Sequence, residues 1–158
     1  MADSDSVTRE DTDVVLERIG AQIVDNLSAA ISAFVIFGLF TLLGGGLKSV
    51  SDPLGGAIAV FGLIIAFLTI FLYEPILEYY WDGQTLGKKA SNIKVVKMDG
   101  RSIEGREAIV RNIPTLAFII PYFGVFAYPV ALAAMASSNE RQRLFDRLAD
   151  TTVVKDSS

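Results

Sequence analysis

Arg18, Gln22, Asp25 and Ser32, with Ser28 or Ala29 completing the series, recur at helical spacing. A helix over this stretch would carry them as one polar stripe. On it Arg18 and Asp25 stand two turns apart, about 10 Å along the axis. A carboxylate so placed can bind a cation or take up a proton, and an arginine nearby can hold a carboxylate ionised in between. A plainer arrangement also fits: residues 26–47 are long enough to span without Asp25, which would then only mark an interface. Glu74 and Glu78, four apart and so on one helical face, form a second candidate pair for holding a cation or relaying a proton. Their plainer reading is interfacial carboxylates facing water or the nearby lysines. The chain has no Cys and no His, which excludes disulfides, thiolate and imidazole chemistry and the usual zinc or iron ligand sets. A bound cation would have to be a hard one held by oxygens. No metal site, cofactor or nucleophile–base pair emerges, so an enzyme is not expected.

The elements that position these residues are apolar. Three charge-free runs, 26–47, 53–73 and 112–139, each reach or pass the roughly 20 residues a helix needs to cross a bilayer. With 51% hydrophobic residues in a chain of 158, the sequence reads as one small integral membrane domain. We expect an all-α membrane protein with two transmembrane helices, a third apolar segment that is broken or re-entrant, and a small cytoplasmic β/loop element. The domain runs from 14 to 155, with spans at about 20–47, 54–76 and 112–137, after an acidic disordered tail over 1–13. About fifteen polar residues precede the first apolar run, which does not fit a cleavable signal.

Small residues at Ser28, Ala29, Ser32 and Ala33, and at Gly55, Ala59, Gly62 and Ala66, suit close helix pairing in lipid. Tyr73, Tyr79, Tyr80 and Trp81 mark the interfacial end of the second helix. Lys and Arg concentrate between the second and third runs and again after the third, so the positive-inside rule puts that loop and both termini in the cytoplasm of a plasma-membrane protein. A single crossing by the third run would strand the basic tail outside. Pro114, Pro121 and Pro129 favour a hairpin there over a plain span.

The glycine-bounded stretch Gly83-Gln84-Thr85-Leu86-Gly87-Lys88-Lys89 has three residues between its glycines and no Ser or Thr after Lys88, so it is not a phosphate-binding loop. It reads instead as a turn laying basic residues on an anionic leaflet. Ile93, Val95 and Val96 suggest a strand before the Asp99-Gly100 turn, residues 102–113 a surface helix, and 151–155 a second β-prone piece able to pair with 93–97.

Trp81-Asp82-Gly83-Gln84-Thr85-Leu86-Gly87-Lys88-Lys89, Ile93-Lys94-Val95-Val96, Asp99-Gly100 and Phe145-Asp146-Arg147-Leu148-Ala149-Asp150-Thr151-Thr152-Val153-Val154, in this order, resemble the RDD family of small prokaryotic membrane proteins. That resemblance covers about 16–154. It matches the family's Arg and two Asp to Arg18, Asp25 and Asp146, and it implies a membrane domain for which ligand or ion transport has been suggested. Asn92 and Asp150 stand where the family more often has Gly, and both types tolerate the left-handed backbone. Two functions are therefore expected from different classes. One is transport of ions or small solutes through an Arg18/Asp25/Asp146 cluster at the cytoplasmic face. The other is a non-catalytic accessory or assembly subunit in which the cluster is an ion-pair clamp. The expected partners are the bilayer with its anionic headgroups and a homo-oligomer or membrane complex, with no nucleic acid.

Overall fold

A computed structural model describes residues 12–47, 52–114, 133 and 142–156. Seven elements follow in order: α1 (Val15–Leu47), α2 (Asp52–Tyr80), α3 (Leu86–Ala90), β1 (Ile93–Lys97), α4 (Gly105–Asn112), α5 (Leu144–Leu148) and β2 (Thr151–Lys155). The third apolar run, with Pro121 and Pro129, lies almost wholly outside the described residues, as does the acidic segment before Thr12. Thr12 itself is buried and Val14 is a core residue, although the sequence reading counted residues 12 and 13 in the tail. The described chain divides into two compact units, Asn26–Tyr73 and the portions on either side of it.

In the Asn26–Tyr73 unit the usual distribution of size and burial is reversed. Ala29, Ala33 and Ala66 are buried, whereas Phe34, Leu42, Val60 and Leu63 are more than half exposed. At 33 and 29 residues, α1 and α2 both exceed the length of a bilayer crossing. Only 17% of the most apolar stretch of each is buried, so neither is the core helix of a soluble protein. Small residues let the backbones close up: a Cβ on Gly44 would lie 2.5 Å from the Gly55 carbonyl oxygen. Phe40 and Phe61 meet edge to face at 5.7 Å. Polar hydroxyls here serve their own helix, Ser32 donating to the Ser28 carbonyl at 2.8 Å and Thr69 to that of Ile65 at 2.8 Å. The upper end of the polar stripe is thus occupied by backbone bonding.

In the other unit, β1 and β2 pair antiparallel. Ile93, Val95 and Val153 join Val14 and Ala21 from the start of α1, and Ile103 and Ala108 from around α4, in one small core. The expected surface helix is shorter than its sequence signal, starting at Gly105, where Glu107 accepts from the Glu104 N–H at 3.0 Å and caps it. Gly83, at φ +81°, packs so tightly on Val95 that any Cβ would strike the Val95 carbonyl.

The two strands belong to an internal repeat. Gln84, Leu86, Val95, Val96 and Lys97 recur at one constant spacing as Gln142, Leu144, Val153, Val154 and Lys155. In both copies a five-residue helix leads through a left-handed residue, Asn92 (φ 52°) or Asp150 (φ 53°), into a five-residue strand. The register makes the relation a local two-fold: Val95 faces its counterpart Val153, Ile93 faces Lys155 and Lys97 faces Thr151. Each left-handed residue turns the chain from helix into strand, a conformation that Asn and Asp tolerate better than other non-Gly residues. Asn92→Gly and Asp150→Gly should fold without loss of stability. Asn92→Val and Asp150→Val should each cost about 1–2 kcal/mol, read by thermal unfolding in detergent.

Candidate functional site

Charged side chains from α1, α2, α3, α4 and α5 converge in the unit that carries the sheet. Arg18 enters from the first turn of α1, 4% exposed, and Asp146 from α5, 2% exposed. Their Nη1 and Oδ2 atoms are 3.5 Å apart. Arg18 Nη2 also donates to the Val153 carbonyl at 3.1 Å, tying α1 to β2. Arg111, from the last turn of α4, places Nη2 3.3 Å from Asp146 Oδ1 and Nε 3.7 Å from Glu78 Oε2. The carboxylate of Glu78 has no solvent exposure. It receives Lys88 Nζ at 2.7 Å and the Asn112 amide at 3.2 Å. Lys88 reaches Glu74 at 3.0 Å, and Glu74 accepts from Gln22 at 2.6 Å. Gln22 in turn accepts from Arg143 at 3.2 Å. Lys88, Glu78, Arg111, Asp146 and Arg18 therefore form a chain of alternating sign.

Asp25 has a different role in this geometry. Its carboxylate, 1% exposed, accepts the Thr85 hydroxyl at 2.6 Å and the Gly87 N–H at 2.8 Å. It thereby holds the first turn of α3 against α1, and Gly87 is required because a Cβ there would strike the Ala21 carbonyl oxygen. Thr85 completes the arrangement by accepting from the Lys88 N–H at 3.2 Å, as an N-cap does. So Asp25 orients the short helix that delivers Lys88 to Glu74 and Glu78. Arg18, Asp25 and Asp146 all line one cavity of about 20 Å³, together with Glu74, Lys88 and Arg111. That volume suits a single water molecule. Arg111, one of its lining residues, buries Nη1 without a hydrogen-bond partner among the described residues.

The repeat explains how one small unit holds so many charges. Lys88 and Asp146 occupy the same position in the two copies, the third residue of each short helix, and both point inward with opposite signs. Each is met by two opposite charges, Glu74 and Glu78 for the lysine, Arg18 and Arg111 for the aspartate. Burial works against the charge on Lys88, yet the two glutamates outweigh it and hold its pKa above the ordinary lysine value. Burial likewise opposes ionisation of Asp146, but Arg111, Arg18 and Arg143 hold its pKa below the usual aspartate range. Arg111, desolvated but flanked by Glu78 and Asp146, is kept above its ordinary value.

Arg18 and Asp146 meet, Asp25 lines the same cavity, and Glu74 and Glu78 belong to the same network, bridged by Lys88 and turned inward instead of facing water. Lys88 corrects an expectation: it does not lie on a leaflet surface but is 7% exposed, drawn in by two carboxylates. Sequence reading passed over Arg111, Arg143 and Asn112, which look like ordinary basic and polar loop residues. The Gln-x-Leu-x-Lys and Gln-x-Leu-x-Asp match at 84–88 and 142–146 was the available signal that positions 88 and 146 are equivalent.

Two membrane-length apolar helices joined to a sheet-bearing unit with a buried, charge-paired centre define a small membrane domain. The chain belongs to the RDD family, whose model matches residues 13–150. It is similar to YckC of Bacillus subtilis (strain 168), itself described as an uncharacterized protein, with 25% identity over 138 residues, covering 86% of this chain and 80% of YckC. No solved structure matches it. Family membership and the two apolar helices together point to a membrane protein.

Removing one partner of a buried pair strands the other, at a cost of about 3–5 kcal/mol. Lys88→Met, which leaves Glu74 and Glu78 facing each other, should lose stability on that scale in chemical denaturation in detergent. The shifts also set a pH window. Asp146, held below its ordinary pKa of 3.8, stabilises the fold above that value, and this contribution is lost as the pH falls through its lowered folded pKa. Lys88, held above its ordinary 10.5, contributes fully below that value and loses its contribution as the pH rises through its raised folded pKa. The melting temperature should therefore be flat between about pH 5 and 9 and fall on both sides, with Asp146→Asn flattening the acid limb.

Proposed function

We propose that the protein is a small, non-enzymatic plasma-membrane protein that passes protons or a small monatomic cation through the charge network at the inner ends of α1 and α2. The observation that carries this reading is a buried centre of four carboxylates, Asp25, Glu74, Glu78 and Asp146, matched by Arg18, Lys88, Arg111 and Arg143. Ionisable groups inside a membrane are costly and commonly mark ion pathways or proton relays, and a buried charge network at the inner ends of α1 and α2 stands where such a pathway would open. A cavity of about 20 Å³ argues against an organic solute and for a proton or a stripped ion. Asp25 is the group assigned to take up the proton or cation, and the rest of the network holds the compensating charges. The two spanning helices among the described residues enclose little interior, so the transporting species is a homo-oligomer.

The same unit supports a reading of the topology. Paired strands lie about 4.8 Å apart and cannot stand on opposite sides of a hydrocarbon core about 30 Å thick. The pairing of β1 with β2 supports one common side for the loop, for the tail and for the two flanks of the third apolar run, at Asn112 and Gln142. Their excess of Lys and Arg assigns that side to the cytoplasm.

A second reading rests on a specific observation: Lys88 and Asp146 each have two opposite partners, so the network also answers the description of a clamp fastening five helices to the sheet. The protein would then be an accessory or assembly subunit of a membrane complex. Proton and sodium flux into proteoliposomes containing this protein alone separates the two. Transport predicts flux above empty vesicles, abolished by Asp25→Asn with melting almost unchanged, because the amide oxygen still accepts the Gly87 N–H and its NH2 can donate to the Thr85 hydroxyl. No flux from the unaltered protein, together with a lowered melting temperature in Asp25→Asn, would leave the clamp.

A further inference from the structure

The outward faces of the three short helices share one composition. Apart from Ala90, α3 exposes Leu86 and Lys89, α4 exposes Arg106 and Ile109, and α5 exposes Leu144, Arg147 and Leu148. Every exposed residue is apolar or basic, in a chain whose net charge is -4. The two acids on these helices are withdrawn, Asp146 into the charge network and Glu107 onto the Glu104 N–H and Lys97. Exposed leucines flanked by Lys and Arg, with no exposed acid on the same helices, suit a headgroup layer, where apolar side chains enter the acyl boundary and basic ones meet phosphates.

The local two-fold and the end of α2 give this surface a location. Leu86 and Leu144 are equivalent in the repeat, as are Lys89 and Arg147, so α3 and α5 repeat one pattern: an exposed leucine, then a basic residue three positions later. Tyr79 and Tyr80, exposed and stacked edge to face at 5.2 Å, sit at the end of α2, where aromatic rings favour the headgroup level. Gly105, the first residue of α4, lies beside Tyr79: a Cβ there would be 3.7 Å from the ring. Trp81 carries Lys89 Nζ 3.9 Å above its ring, pairing an interfacial aromatic with a cation that can reach a lipid phosphate.

We propose that α3, α4 and α5 are interfacial helices that seat the sheet-bearing unit on an anionic headgroup layer, with Leu86, Ile109, Leu144 and Leu148 entering the acyl boundary and Lys89, Arg106 and Arg147 contacting phosphates. The proposal rests on the reading that α1 and α2 cross a bilayer. The occupant of this surface is lipid, because the face continues from the aromatic end of a spanning helix and carries the charge opposite to that of the leaflet.

The test uses the full-length protein with Trp81→Phe, which removes its single tryptophan. Into this background Leu144→Trp, Ile109→Trp and, separately, Leu63→Trp on α2 are placed, the first two in vesicles whose acyl chains carry bromine near the headgroup end and the last in vesicles brominated at mid-chain. Tryptophans at 144 and 109 should be quenched, more by brominated phosphatidylglycerol than by brominated phosphatidylcholine. Lys89→Gln and Arg147→Gln should each reduce that preference about fivefold. Full emission at 144 and 109 while a tryptophan at 63 is quenched by mid-chain bromine would overturn the interfacial seat alone, as would emission at 144 that shifts with protein density and not with lipid, the mark of a second copy. Loss of quenching at 63 as well would overturn the spanning reading along with it.

Discussion

A charge taken out of water must be met by its opposite, and the sheet-bearing unit is arranged around that requirement. Lys88 cannot be buried without Glu74 and Glu78, nor Glu78 without Lys88, Arg111 and Asn112, nor Asp146 without Arg18 and Arg111. These residues come from five elements, Arg18 from α1, Glu74 and Glu78 from α2, Lys88 from α3, Arg111 and Asn112 from α4 and Asp146 from α5, so satisfying the charges fixes how the five helices approach one another. The apolar core beneath is small, built from Val14, Ala21, Ile93, Val95, Ile103, Ala108 and Val153. Buried polar pairs can add conformational specificity to a core of this size.

The internal two-fold makes the network economical. One local design, a five-residue helix and a left-handed turn before a strand, is used twice, and the third helical residue of each copy is aimed inward. Opposite signs at those positions let the copies share a centre without net charge. Capping reinforces the aim. Asp25 and Thr85 hold the first turn of α3, while Asp146 accepts the Arg143 N–H at 3.1 Å and caps its own helix while meeting two arginines.

Around the Asn26–Tyr73 unit the physics changes with the solvent. Small residues are buried and phenylalanines and leucines are exposed, as expected where lipid replaces water and close backbone packing replaces the hydrophobic effect as the force between helices. Among the described residues the buried ion pairs all lie in the other unit.

The sequence by itself determined what depends on local composition. That α1 and α2 are long apolar helices, that 93–97 and 151–155 are β-prone, and that Arg18, Asp25, Glu74 and Glu78 are candidates is legible from hydropathy, spacing and residue type, while Asp146 and the turns at Asn92 and Asp150 entered through the family resemblance. Tertiary structure decided the rest, because it depends on which side chains meet across long separations. Periodicity could place Asp25 on a stripe with Arg18, but not reveal that its oxygens are taken by Thr85 and Gly87 while Arg18 turns to Asp146. Lys88 looks like a surface lysine until the backbone brings Glu74 and Glu78 around it. Arg111 looks like one more basic residue in a basic loop, yet it joins the two halves of the network, since only the fold puts Glu78 and Asp146 within reach of one guanidinium.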